Sequence, residues 1–230
     1  METALITGAN RGVGLALAQC FLEADYRVIA ACRKPAEAHE LRELGDASVL
    51  SIEPLEVTDE QSVLALAEKL AEQPLDILIN NAGVMGHGDS GQGTNSVDYD
   101  AWRDAFETNT IAPFRIISAL KNNLSKADRP RAITISSQMG SLNRKSKGSY
   151  AYRSTKAAVN KLMQVLALEL ADEGIIVCPV HPGWVRTDMG GPTADISVEE
   201  SATGLFKLIS SITMEQSGRF WTWAGEEHPW

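Results

Sequence analysis

Short apolar runs alternate with longer stretches of helical period along the whole chain, and this alternation constrains the fold more than any other feature. Seven runs have the length and apolar content of strands buried on both faces: residues 4–7, 27–31, 48–52, 76–80, 132–135, 175–178 and 219–223. Between them, apolar residues recur at helical spacing, as Val13, Leu17, Phe21 and Ala24 do. The pattern predicts βαβ units in an α/β fold, with a doubly wound, mostly parallel seven-stranded sheet and helices on both faces.

The length and charge of the chain further limit its possible domain organisation and binding partners. A chain of 230 residues with 44% hydrophobic content can bury one sizeable core, and nothing in it resembles a linker, so residues 1–230 are predicted to form a single domain. The net charge of −9 argues against a surface that binds nucleic acid or anionic lipid. No apolar run approaches the about 18 residues of a membrane span. The glycine-rich segment 87–95 is predicted to be a mobile surface loop.

The three cysteines are odd in number and far apart. Cys20, Cys32 and Cys178 stand in apolar surroundings, which indicates buried, reduced thiols rather than a disulfide framework or a metal site. The chain also begins with a strand-like run and has no recognisable signal peptide. We therefore expect a cytoplasmic protein without a metal.

A glycine-rich turn between the first predicted strand and the first helix carries the first chemical signal. Gly8, Gly12 and Gly14 allow a tight turn whose backbone N–H groups can approach a pyrophosphate, and the helix N-terminus adds partial positive charge. Such turns also use glycine for steric reasons alone. Because the turn follows the first strand directly, it favours a dinucleotide site on a Rossmann fold. Its candidate cofactor-binding residues are Gly8, Asn10, Arg11, Gly12, Val13 and Gly14.

The residues after the second predicted strand predict which dinucleotide binds. NAD enzymes usually place a carboxylate there for the ribose 2′-hydroxyl, but here Cys32 and Arg33 follow, and the next acid is Glu37. Arg33 could hold a 2′-phosphate with its bidentate fork, and Arg11 could approach the same group. Both arginines could instead be solvated loop residues. We predict NADP(H) as the cofactor.

Tyr152 and Lys156 form the candidate proton-transfer pair. Residues four apart on a helix share a face, so Lys156 can lie near the Tyr152 hydroxyl, whereas Tyr150 has Ser154 four residues on. An unperturbed tyrosine has a pKa of about 10. A nearby ammonium, helped by the positive charge of an oxidised nicotinamide, would lower that pKa and make Tyr152 a usable general acid and base. The alternative is an ordinary amphipathic residue at a helix start.

These motifs, taken together and in order, resemble those of the short-chain dehydrogenase/reductase family over essentially the whole chain. Within it they resemble the C-factor-like and sniffer-type carbonyl reductases. The remaining segments that carry the resemblance are Asn80-Asn81-Ala82-Gly83 after the fourth predicted strand, Ser136-Ser137 after the fifth, and His181-Pro182-Gly183-Trp184-Val185-Arg186-Thr187-Asp188-Met189-Gly190-Gly191 after the sixth.

The resemblance implies roles for further residues. Ser137, rather than Ser136, would hydrogen-bond the substrate oxygen, and Asn109 would hold a water in a proton relay to Lys156. Glu56 stands where relatives usually carry an Asp near the adenine, which is a departure from the pattern. The implied cofactor contacts outside the glycine turn are Cys32, Arg33, Glu56, Val57, Asn81, Ala82, Gly83, Tyr152, Lys156, Pro182, Gly183, Val185 and Thr187.

Two regions remain open to more than one interpretation. Arg144, Lys145 and Lys147 lie in the segment before Tyr152, where they are either solvated, the preferred interpretation, or positioned to attract an acidic substrate. The C-terminal tryptophans fit core, interface or pocket wall; they are Trp221, Trp223 and Trp230.

The helix that follows Tyr152 predicts self-association. It is apolar nearly all the way round, which implies burial on more than its sheet-facing side. The residues concerned are Ala157, Ala158, Val159, Leu162, Met163, Val165, Leu166, Ala167, Leu168 and Leu170. We expect a homodimer, and the resemblance also allows a tetramer.

The combined prediction is an NADP(H)-dependent oxidoreductase that moves a hydride between the nicotinamide and a carbonyl or alcohol carbon of a small molecule. Asn109, Ser137, Tyr152 and Lys156 would form its catalytic set. The alternative is a dinucleotide-binding regulatory or signalling protein with little turnover, because fold alone does not fix function. A purely structural α/β module is a third, weaker interpretation.

Overall fold

The fold is a seven-stranded sheet in which every strand pairing is parallel. A computed structural model describes residues 1–86 and 94–230, and the strand order in the sheet is β3-β2-β1-β4-β5-β6-β7. The strands are β1 Thr3–Thr7, β2 Arg27–Cys32, β3 Leu50–Pro54, β4 Ile77–Asn80, β5 Arg131–Ile135, β6 Ile176–His181 and β7 Trp221–Thr222. The predicted fold class is confirmed. Most of the loop predicted at 87–95 lies outside the described residues.

Helices cover both faces of this sheet. On one face, α1, α2 and α7 pack on the sheet through residues such as Phe21 and Leu205, and on the other α3, α5 and α6 do so through residues such as Leu66 and Met163. Burial on both sides explains why the central strands are largely apolar. The helices are α1 Gly12–Glu23, α2 His39–Glu43, α3 Glu60–Leu70, α4 Tyr99–Phe106, α5 Ala112–Leu124, α6 Tyr150–Glu169 and α7 Val198–Ser211.

The strand order places a crevice between β1 and β4. The chain runs outward from β1 to β3 and then returns to β4, so the segments after β1 and β4 leave the sheet toward opposite faces. Ligands of such folds bind at the carboxyl ends of the strands, at this reversal point. The predicted site residues after β1, β2, β4, β5 and β6 are therefore brought to one edge of the sheet.

Three strands differ from their predicted bounds by two residues or more at one end, and hydrogen bonds explain two of these differences. The third strand was predicted at 48–52, but the backbone N–H of Ser48 donates to Asp46 Oδ1 at 2.8 Å in a turn, and β3 begins at Leu50. The last strand was predicted at 219–223, but Thr222 N–H donates to the Glu226 carbonyl at 2.8 Å, so the chain reverses after two residues. β6 extends to His181, three residues beyond its predicted end.

A short π-helical segment, Glu107–Ile111, joins α4 to α5. Single π-helical turns inside α-helices often occur at functional sites. Asn109 lies in this segment and is buried, with 1% of its surface exposed. The predicted relay residue thus lies in a local irregularity between two helices. Among the described residues, no helix combines the length and the apolar character that a membrane crossing requires.

Candidate active site

A cleft of about 1910 Å³ opens at the carboxyl edge of the sheet. It exceeds the volume of a pocket for one drug-sized ligand, roughly 300–1,000 Å³, and has room for a dinucleotide and a second reactant. All the residues predicted to bind the cofactor line it. So do Ser137, Tyr152 and Lys156, while Asn109 lies behind Gly83.

The glycine turn is shaped to receive an anion. Gly8 has a φ of 63°, which is the left-handed region, and a Cβ added to Gly14 would lie 2.5 Å from both the Gly8 carbonyl oxygen and Asn81 Nδ2. The helix α1 begins beside the turn with no side-chain cap and no acidic residue in its first turn. Its first N–H groups and its dipole are therefore available to a phosphate group in the cleft.

Thr7 and Asn81 tie this turn to β4. The Asn81 amide Nδ2 donates to the carbonyl oxygens of Thr7 and Gly8 at 2.9 and 3.1 Å, and Thr7 Oγ1 accepts from the N–H groups of Asn81 and Ala82 at 3.0 and 3.1 Å. Asn81, predicted as a cofactor contact, thus also has a structural function. Sequence reasoning missed Thr7, because a threonine that ends a strand carries no signal of its own.

The far end of the cleft presents cations after β2. Arg33 is exposed, and Lys34 engages Glu37, the nearest acid along the chain, at 3.1 Å. Cys32 is buried beside them, and burial raises the pKa of its thiol. On the adjacent wall, Glu56 Oε1 accepts from Thr58 Oγ1 at 2.9 Å. The residues at this end therefore fit a 2′-phosphate better than a bare ribose diol.

Arg11 takes a different direction from the one that the sequence suggested. Its Nη1 pairs with Asp188 Oδ2 at 2.7 Å, joining the glycine turn to the loop after β6. A contact of Arg11 with the same phosphate as Arg33 stays a prediction. The carboxylate of Asp188 attracts Arg11 across the cleft, and sequence reasoning did not foresee this partner 177 positions away.

Tyr152 and Ser137 are neighbouring side chains at the opposite end of the cleft. Tyr152 is buried, and burial raises the pKa of its phenol, while the nearby Ser137 hydroxyl partly opposes that rise. Ser136 is also buried, but its hydroxyl donates to Asn160 Oδ1. Ser137 is thus in the cleft beside the phenol, and Ser136 is engaged elsewhere.

Lys156 lies one helical turn after Tyr152 and is buried. Its Nζ donates to the Ile135 carbonyl at 2.8 Å and is 5.7 Å from the centroid of the Tyr152 ring. Burial lowers the pKa of Lys156 to about 8. The expected lowering of the Tyr152 pKa is not found, because burial dominates and the ammonium is directed to a carbonyl rather than to the phenol. A protonated phenol at neutral pH suits a proton donor.

Asn109 is fixed to the segment after β4. Its Oδ1 accepts from Val84 N–H at 2.9 Å, and its Nδ2 donates to the Val84 carbonyl at 2.8 Å and to Thr155 Oγ1 at 3.0 Å. A Cβ added to Gly83 would lie 3.2 Å from Asn109 Oδ1 and 3.6 Å from Lys156 Nζ. The glycine therefore lets three elements converge beside the lysine, and the relay function of Asn109 stays a prediction.

The tryptophans in and after the last two strands have separate positions. Trp221 is in the core, and Trp223 packs so closely on Gly183 that an added Cβ would lie 3.0 Å from its Nε1. Trp230 stacks on Phe220 with ring centroids 5.7 Å apart. Trp184, 44% exposed, lines the cleft and donates from Nε1 to the Gly190 carbonyl.

A glycine turn at the reversal point of a parallel sheet, with a buried tyrosine, serine and lysine in the same cleft, defines a Rossmann-fold oxidoreductase. The chain belongs to the short-chain dehydrogenase family, whose model matches residues 2–196. It is 38% identical to the C-signal of Myxococcus xanthus over 167 residues, which cover 72% of this chain and 99% of that protein.

Solved structures agree with this assignment. An NADPH-bound carbonyl reductase from chicken fatty liver has a TM-score of 0.91 and 36% identity, covering 100% of this chain and 99% of that one. The carbonyl reductase Sniffer of D. melanogaster has a TM-score of 0.94 and 30% identity, covering 100% of both chains. The predicted family, its carbonyl-reductase branch and the enzyme class are confirmed, and the predicted cofactor is the one that the chicken protein carries.

Proposed function

We propose that the protein is an NADPH-dependent carbonyl reductase that acts on a small molecule. The observation that carries the proposal is the buried, protonated phenol of Tyr152, which lies beside Ser137 in the same cleft as the glycine turn. A carbonyl oxygen placed between these two hydroxyls would receive two hydrogen bonds, which orient it and stabilise the charge that develops on it.

The proton steps follow from the residues around that oxygen. NADPH, when bound along the glycine turn, supplies the hydride. Ser137 holds the carbonyl oxygen, and Tyr152 Oη donates its proton to the same oxygen as negative charge builds there. The ammonium of Lys156 then stabilises the phenolate that remains. Asn109 packs against Gly83, which lies beside Lys156 Nζ, and so helps to hold the segment next to the lysine in place. In oxidation, the phenolate would accept the proton.

The choice of NADPH over NADH rests on the end of β2. Arg33 is exposed there, and Lys34 pairs with Glu37, the nearest acid along the chain, so the residues directly after β2 present cations to a 2′-phosphate. The NADPH-bound chicken enzyme, at 36% identity, supports the same choice. The remaining predicted cofactor residues all line the cleft in which the dinucleotide would lie.

We also propose that the protein is cytoplasmic and that it forms a homodimer through α5 and α6. These two helices expose large apolar side chains, of which Leu168 is the most exposed at 78%. Phe114 on α5 and Val165 on α6 are each about two-fifths exposed. An apolar patch of this kind is typical of an interaction surface. Sedimentation equilibrium would test the assembly, with a monomeric mass contradicting it.

The similarity to C-signal favours one competing function, a dinucleotide-binding signalling protein with little turnover. Purified protein, NADPH and a panel of aldehydes, diketones and quinones distinguish the two. Loss of NADPH absorbance with a member of the panel supports the reductase. Tight NADPH binding without turnover of the whole panel would instead support the signalling function.

A further inference from the structure

Arg144 is a cation at the Ser137 end of the cleft whose charge has a neutral partner. Its Nη1 donates to the side-chain amide oxygen of Gln138, and both residues line the cleft. Among the ion pairs of the described residues, none involves Arg144. Lys145 and Lys147 of the same loop are exposed and are not part of the cleft lining. The basic loop thus directs one of its three charges at the site.

His181 is the second part of this region. It ends β6, lines the cleft and is 7% exposed, and its buried Nδ1 has no hydrogen-bond partner within the described residues. Burial, His228 and Arg144 lower the pKa of His181 to about 3, so the imidazole is neutral at working pH. Arg144 contributes to this lowering beside burial, so its positive charge acts on the part of the cleft that His181 lines.

The loop that carries Arg144 is anchored by the segment after β7. Ser141 Oγ donates to the Pro229 carbonyl at 2.8 Å, and Asn143 N–H donates to the Trp230 carbonyl at 3.2 Å. Trp230 stacks on Phe220, which is fully buried. The loop that carries Arg144 is therefore held near the site by the packed segment around Trp230, which reduces the conformational entropy lost when a ligand binds.

Carboxylates also line the cleft, but partners neutralise two of them. Glu107 pairs with Arg115 at 2.5 Å, and Asp188 pairs with Arg11 at 2.7 Å. Asp104 lies on α4 and Asp195 lies between β6 and α7. Neither forms an ion pair with Arg144, whose guanidinium is engaged by the neutral Gln138 amide.

We propose that Arg144, Gln138 and His181 form a subsite for a carboxylate, so that the preferred substrate is a carbonyl compound that carries a carboxylate group. The guanidinium would supply a charge-assisted hydrogen bond, and the amide and imidazole neutral ones. The subsite adjoins Ser137, which sets the reacting carbonyl a short distance from the carboxylate. The inference rests on the proposed reductase function and specifies its substrate class.

A matched substrate pair tests it: 4-carboxybenzaldehyde and its methyl ester differ in charge and little else. The acid should have the higher kcat/KM with NADPH. Arg144→Gln should lower the acid-to-ester ratio of kcat/KM by about tenfold or more, the effect of one lost charge-assisted hydrogen bond. Arg144→Lys should restore part of the ratio. Lys145→Gln removes the same charge from the same loop and should leave the ratio within about twofold, since Lys145 does not line the cleft.

Equal decreases of the acid-to-ester ratio in Arg144→Gln and Lys145→Gln would indicate that the loop attracts anions through its overall charge, and would overturn the subsite. An unchanged ratio in Arg144→Gln would overturn it as well, while leaving the reductase function intact. If neither aldehyde is reduced, the proposed function fails, and calorimetry then decides the subsite separately. Tighter binding of 4-carboxybenzaldehyde to the unmodified protein than to Arg144→Gln would support it, and equal binding would refute it.

Discussion

The two halves of the cleft are built in different ways. The cofactor half comes from neighbouring positions, with Gly8 to Gly14 in one turn and Arg33 directly after the next strand. The half that we propose for the substrate, called the substrate half below, joins the loop around Arg144, the end of β6 at His181 and the segment around Trp230, which are far apart in sequence. The first half depends on backbone shape and can be recognised as a motif, whereas the second exists only after tertiary packing.

Tyr152→Phe should have the largest effect and tests the substrate half. It removes the hydroxyl that we propose as proton donor and changes little else, so turnover should fall by about a hundredfold to ten-thousandfold, the usual contribution of a general acid. NADPH affinity, a property of the other half, should be nearly unchanged. Steady-state kinetics and fluorescence titration measure the two effects.

Tyr150→Phe is the matched control, because Tyr150 is exposed at the start of the same helix and is not part of the cleft lining. Its kinetics should match those of the unmodified protein. Near-normal turnover in Tyr152→Phe would contradict the mechanism and favour the signalling function.

Arg33→Asp tests the cofactor half and should have the next largest effect. Replacing the proposed phosphate contact by a like charge should weaken NADPH binding by about tenfold to a hundredfold and alter NADH binding far less. Arg27→Asp makes the same charge change at the opposite end of β2 and should alter neither affinity. A preference of the unmodified protein for NADH in parallel titrations would show that the interpretation of Arg33 is wrong.

Lys156 lies between the halves and should give NADPH binding a pH dependence. Its pKa is about 8 in the folded protein, so the ammonium is lost as pH rises through 8. If that ammonium holds the cofactor, affinity should fall by up to about tenfold between pH 8 and 9. Over the same range the lysine's contribution to the free energy of unfolding should rise, because the unfolded chain still binds the proton.

The control for this profile is Lys156→Met, which should bind NADPH weakly and with no midpoint near pH 8. Cys32 and Tyr152 do not account for such a midpoint, because burial raises the pKa of both above their usual values. An unchanged midpoint in the Met variant would assign the titration to another group. Fluorescence titrations between pH 7 and 9.5 would measure it.

Asp188→Asn should have the smallest effect. The Arg11–Asp188 pair joins the two walls of the cofactor half, but its side chains are 69% and 84% exposed, and exposed pairs contribute little. Removing the carboxylate frees Arg11 for phosphate and should strengthen NADPH binding by about twofold to fivefold at low salt. Asp100→Asn, which breaks the exposed pair with Arg103 on α4, should leave NADPH affinity unchanged. Weaker NADPH binding in Asp188→Asn would mean that the pair supports the site.

The features of the site that could be predicted from the sequence divide in a similar way, between local motifs and contacts made only by folding. The glycine turn, Arg33 and the Tyr152 and Lys156 pair were predicted because each depends on spacing within one element and its neighbour. The pairing of Arg11 with Asp188 and the grouping of Arg144 with His181 were not, because they join segments that only the folded sheet brings together. The fold itself was predictable from apolar periodicity, and the strand ends were not, because turns such as that at Ser48 compete for the backbone.

The ties from Thr7 and Asn81 to the glycine turn bear on the entropy of cofactor binding. Ordering a free loop costs about 1–2 kcal/mol of backbone entropy per residue at the moment of association. Here the Asn81 amide already bridges two carbonyl oxygens of the turn, and the Thr7 hydroxyl already receives two N–H groups. The turn is already ordered when the chain folds. Little conformational entropy is therefore lost when a dinucleotide binds, and its affinity mainly reflects the contacts that it makes with this half.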